Sequence, residues 1–126
     1  MEIIRQASIP KLTNSGIESE QLLFPENSSS RRVTITKVTM PPAAANPIHQ
    51  HAASEQIWVA LQGNGLLLLA DDKTENFSAG DVVRFEDGDK HGLRNTGVTP
   101  FVYLSVTSPP INFRAAYAQD WKAAKG

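Results

Sequence analysis

The stretch Gly80-Asp81-Val82-Val83-Arg84-Phe85-Glu86-Asp87-Gly88-Asp89-Lys90-His91-Gly92-Leu93-Arg94-Asn95 decides how this chain is read. Val82, Val83 and Phe85 give residues 82–85 the β-favouring side chains and the length of a short strand. Asp87-Gly88-Asp89 then supplies turn chemistry, because glycine reaches positive φ freely and aspartate bonds its own backbone. A histidine follows directly, at position 91.

The same rhythm extends in both directions. Residues 32–40 form a strong strand candidate, rich in β-branched Val33, Thr34, Ile35, Thr36, Val38 and Thr39. Residues 16–24, 55–62, 66–70 and 101–107 are further candidates, with Gly63-Asn64-Gly65 and Asp71-Asp72-Lys73 as turns. Pro41-Pro42-Ala43-Ala44-Ala45-Asn46-Pro47 is expected to be non-strand, since proline has no amide to give a ladder. Many short strands separated by turns predict an all-β sandwich or barrel. After Pro109-Pro110, the spacing of Phe113, Ala116, Tyr117 and Trp121 predicts a helix over residues 112–123. Asn112 would cap it, and Lys122 and Lys125 suit its C-terminal end.

Bulk composition narrows the function. The chain has 126 residues, enough for one domain over 1–126, with 12 Lys and Arg against 13 Asp and Glu. No one-signed field exists to draw nucleic acid or acidic lipid. There are no cysteines, which removes disulfides, thiolate catalysis and Cys-based zinc sites. No apolar run suits a membrane span or signal peptide, so a cytoplasmic location is expected.

The histidines carry the chemistry. There are three, His49, His51 and His91. Residues i and i+2 of a strand face the same side, so His49 and His51 can converge on one point. Imidazole is a common ligand of divalent transition metals.

These residues resemble the two metal-binding motifs of the cupin family. Gly80, Gly88, His91 and Asn95 match the second motif in type and spacing, with Glu86 standing at its proline. In the first motif His49, His51 and Gly63 fall in place, and Ala43 stands where the opening glycine belongs. The resemblance spans residues 32–107. It implies a cupin (jelly-roll, double-stranded β-helix, RmlC-like) barrel holding one divalent metal, Zn, Fe, Mn, Ni or Cu, on the three histidines and a fourth ligand. Seven residues back from Gly63 and five on from His51 both give Gln56 where the family has glutamate. Glu55 fits the family's shorter gap but leaves Gly63 out of step. Adjacent strand residues face opposite ways, so only one of the two looks inward, and the count favours Gln56. The His-x-His-x4-Gln arrangement is similar to that of small single-domain cupins acting on ring-opened uronic sugars.

Other residues are candidates by position. With Gln56 inward, Trp58 shares its face and can form a pocket wall or fill the core. Tyr103 can donate a proton or a substrate contact, or simply bond within the barrel wall. Arg84 and Arg94 lie near the motif and can grip a carboxylate or pair on the surface. Two classes of function follow. One is a metal enzyme on a small oxygen-rich molecule, a sugar acid or other carboxylate, by isomerisation or tautomerisation, or else a dioxygenase. The other is a non-catalytic ligand- or metal-binding module. The family resemblance also implies a homodimer, for which residues 1–24 and the Ile57, Val59, Leu61 face are candidates.

Overall fold

A computed structural model describes residues 1–121. Ten strands follow in order: β1 (Lys11–Asn14), β2 (Ile17–Leu23), β3 (Thr34–Met40), β4 (Ala45–His49), β5 (Glu55–Gln62), β6 (Asn64–Leu69), β7 (Thr74–Ser78), β8 (Val82–Phe85), β9 (His91–Asn95) and β10 (Phe101–Ser108). A single turn of helix, α1 (Arg114–Tyr117), comes after them. One sheet has six strands in the order β1-β2-β3-β10-β5-β8, and the other has four, β4-β9-β6-β7. The pairings within both are antiparallel.

Alternation builds the interior. Along β3 and β10 every second residue is buried, and the same holds from Gln56 to Ala60 on β5. The inward positions fill a core around Trp58, Phe77, Phe85, Leu93, Phe101 and Tyr103. At the β5–β6 turn Gly63 has φ 93°, and a Cβ there would stand 2.9 Å from the Pro100 carbonyl oxygen. Only glycine fits, which fixes the register of β5 from its C-terminal end. Ala43 also takes positive φ, at 67°, a conformation that glycine reaches without strain.

The structure corrects the sequence reading in four places. Residues 45–49 form β4 despite Pro47. β4 is an edge strand whose pairing with β9 shifts between Asn46 and His49, so the missing amide costs no ladder bond there. His51 consequently lies in the loop after β4, not on a strand with His49. The strands β1, β7 and β9 were not expected; each is short, and β1 and β7 carry mostly polar side chains. The helix ends at Tyr117, because Asn14 Nδ2 claims the carbonyls of Tyr117 at 3.0 Å and Gln119 at 2.6 Å. Asn112 Oδ1 does accept from the Arg114 amide at its start. Lys122 and Lys125 lie outside the described residues.

Candidate metal centre

The three histidines come from two places and meet inside the barrel. β4 delivers His49 at its last residue, the following loop delivers His51, and β9 begins on His91. His49 and His91 are register partners across β4 and β9. One ring nitrogen from each of the three lies within 4.8 Å of the others. Phe85 stacks on the His91 ring at 4.1 Å and 10°, fixing its plane, while Phe113 meets His51 edge-on at 6.0 Å.

Whether these residues suit a divalent metal is decided by their lone pairs. His49 Nδ1 lies 2.8 Å from the Pro47 carbonyl oxygen, and His91 Nδ1 lies 2.9 Å from that of Asp89. A carbonyl can only accept, so the neutral His49 ring carries its proton on Nδ1 and presents a bare Nε2, while His91 faces oxygen acceptors at both ring nitrogens, the Asp89 carbonyl and Gln56 Oε1. His51 Nε2 is buried with no hydrogen-bond partner. Burial lowers the pKa of His49; it takes His51 and His91 down to about 4, with the charge of His49 adding to both shifts. The imidazoles are therefore neutral at pH 7, the form that binds metal. The orphaned His51 nitrogen, the bare Nε2 of His49 and the neighbouring His91 ring fit a metal such as zinc, iron or manganese.

Gln56 sits against this triangle. Its side chain is 3% exposed, with Oε1 2.9 Å from His91 Nε2 and Nε2 donating to Thr107 Oγ1 at 2.9 Å. With the His91 proton on Nδ1, toward the Asp89 carbonyl, the glutamine oxygen and the imidazole nitrogen would point lone pairs at one region. Glu55 faces the other way and accepts from Arg84 Nε at 2.9 Å.

His49 and His51 open onto a cavity of about 260 Å³, with His91 behind them. Gln56, Trp58 and Tyr103 form part of its wall from the barrel, and Phe113, Tyr117 and Trp121 from the C-terminal segment. Among the described residues lining it there is no Lys, Arg, Asp or Glu. Tyr103 is fully buried; burial pushes its hydroxyl well above the usual value, and Asn46 Nδ2 donates to it at 3.4 Å. Burial likewise raises Tyr117 to about 12, with Ser19 drawing it partly back.

The two arginines that could grip a carboxylate or pair on the surface both stand outside the cavity. Arg94 is exposed on β9 between inward Leu93 and Asn95, so alternation turns it away from the cavity. Arg84 pairs with Glu55 and Glu86 on the outer surface. Residues that sequence reasoning passed over include Thr107, which holds the Gln56 amide, and Phe113 beside His51. The run 101–107 did carry a signal: its hydroxyl and aromatic residues alternate with aliphatic ones, and the former are the buried set.

The sequence matches the cupin domain model over residues 36–107. It is 28% identical to the oxalate-binding protein of Thermotoga maritima over 90 residues, 71% of this chain and 74% of that one. The structure is similar to that of a predicted oxalate decarboxylase from Thermotoga maritima, with TM-score 0.73 and 23% identity, covering 86% of this chain and 99% of that one. It is also similar to KdgF from Halomonas sp., with TM-score 0.74 and 17% identity over 87% and 96% of the two chains. Barrel, histidine triangle and family match agree, and the chain belongs to the cupin family.

Proposed function

We propose that the chain binds one divalent metal through His49, His51, His91 and Gln56, and uses it to hold a small oxygen-rich acid, such as a sugar acid, for isomerisation or tautomerisation. One observation carries this reading: neutral imidazoles converge in a cavity with no charged side chain among its described lining residues. When bound, the metal supplies the positive charge that an acid needs and the Lewis acidity that eases enolisation. Glutamine in place of glutamate leaves that charge uncancelled. The aromatic walls exclude water, and Tyr103 and Tyr117 are held protonated, able to donate hydrogen bonds to ligand oxygens.

A second reading, a non-catalytic binder of small acids, is favoured by a different observation. Among the described lining residues no carboxylate or spare imidazole stands ready to take a proton. The likeness to an oxalate-binding protein points the same way.

Calorimetry with sugar acids and oxalate, before and after chelation, tests both readings together with elemental analysis. Binding is expected only with metal present, and binding that survives complete metal removal would overturn the metal-centred reading. Ligand recovered from D₂O separates the two: an isomerase exchanges carbon-bound hydrogen, visible by NMR, and a carrier does not. Oxygen consumption by the iron-loaded protein would point to a dioxygenase instead.

We also propose that two copies pair through the outer face of the six-stranded sheet. Register sets Ile35, Val106 and Ile57 in one cross-strand row there, ending on Arg84, and Leu104, Val59 and Val82 in the next, beginning on Lys37. Leu61 is 46% and Val82 64% exposed. An apolar patch of this kind marks an association surface.

A further inference from the structure

Rows of side chains cross the inner face of the six-stranded sheet, and two adjacent rows treat their polar groups differently. Thr34, Thr107 and Gln56 are cross-strand neighbours in the first. Their groups are matched. Thr107 Oγ1 accepts from Gln56, and Thr34 Oγ1 donates to the Ile111 carbonyl at 3.1 Å and accepts from its amide at 3.2 Å.

The next row reads Gln21, Thr36, Ser105, Trp58. All four are buried. At its ends, Gln21 Oε1 and Trp58 Nε1 have no hydrogen-bond partner. Between them, no side chain or backbone group among the described residues pairs with the hydroxyls of Thr36 or Ser105. Thr36, Ser105 and Trp58 line the same cavity as His49 and His51; Gln21 stands behind Thr36, off the cavity wall.

Valine or leucine would fill such a row without leaving polar groups unmet. Hydrogen-bonding capacity left open along a cavity wall is what a ligand completes. This row carries no charge, so it suits neutral oxygens that both donate and accept, not a second carboxylate. Thr36 and Ser105 sit on neighbouring strands about 4.8 Å apart, within reach of adjacent positions on one ligand chain.

We propose that Thr36 and Ser105, flanked by Trp58, form a second subsite that reads hydroxyl groups along the ligand's carbon chain. The ligand class is then a hydroxylated monocarboxylic acid, preferred over a dicarboxylate. The carboxylate end of this assignment rests on the metal reading above; the hydroxyl row does not.

The test measures binding of gluconate, hexanoate, oxalate and ribitol to the metal-loaded protein by calorimetry. Gluconate should bind about tenfold or more tightly than hexanoate, which has the same chain length without hydroxyls. Thr36→Val and Ser105→Ala should each erase most of that advantage with metal content unchanged. Thr36→Val should also hold or raise the melting temperature, since the lost hydroxyl has no partner, whereas Thr107→Val should lower it. Should Thr36→Val fail to fold, Ser105→Ala carries the same comparison. Equal affinity for gluconate and hexanoate, or tighter binding of oxalate than gluconate, overturns the subsite. Ribitol has no carboxylate: weak binding that both variants abolish supports the row, and if gluconate then binds no better than ribitol, it is the metal–carboxylate reading that fails.

Discussion

The two faces of β5 do opposite work with neighbouring residues. Inward, Gln56, Trp58 and Ala60 are buried against the histidines and the core. Outward, Glu55 pairs with Arg84, and Ile57, Val59 and Leu61 join the aliphatic side chains of β10 and β8. The inner face spends polar groups where a membrane-like interior would be cheaper; the outer face leaves apolar ones in solvent. Each is the reverse of what a lone barrel needs, and each is what the proposals above would complete: metal and ligand inside, a second copy outside. A one-residue slip of β5 would exchange the two sets, so its register carries both properties at once.

The comparison predicts that each face can be broken without the other. The largest effect should follow His51→Ala or His91→Ala. Removing one imidazole should lower metal affinity by about a hundredfold or more and take several degrees from the melting temperature of the metal-loaded protein, with subunit mass unchanged. Elemental analysis and calorimetric melting check this, and full metal occupancy in both variants would remove the site.

Next in size is the outer face. Val59→Lys places a charge in the middle of the apolar patch and should convert a dimer to a monomer at micromolar concentration, with metal content intact. Light scattering reads the mass. A wild-type protein already monomeric at that concentration contradicts the pairing.

A smaller effect sharpens the register itself. Gln56→Glu should keep the metal and tighten it, because an anionic oxygen replaces a neutral one. The same change should weaken binding of a sugar acid by about tenfold, since the site loses one unit of positive charge. Glu55→Gln should do neither, because that side chain is spent on Arg84 at the surface. Titrations of metal and of acid into the two variants separate these outcomes.

Much of this arrangement was legible in the sequence, for identifiable reasons. β5 and β8 begin and end where the β-favouring runs do, and Gly63, which admits no Cβ, anchors the count that turns Gln56 inward. The all-β architecture followed from the spacing of turns. β4 was hidden because the sequence rule against proline in strands has an exception at a shifted edge, and that edge is visible only once the sheet is assembled. β1 and β7 were hidden by polarity, since few of their residues face the core. The facing of Arg94 is not legible from its closeness to His91 in sequence; it lies three residues on, at a position of opposite parity. The two hydroxyl rows were not separable either, because pairing of Thr34 with Ile111 depends on where the C-terminal segment crosses the barrel.

The claim on which the rest depends is that the inner face holds a metal at the meeting point of β4, β5 and β9. Anomalous diffraction from a crystal of the metal-loaded protein tests it most directly. The account predicts one peak bonded to nitrogens of His49, His51 and His91, with Gln56 Oε1 as an oxygen ligand at about 2.0–2.2 Å for zinc. A peak bonded to the Glu55 carboxylate, or none within the triangle, would contradict it.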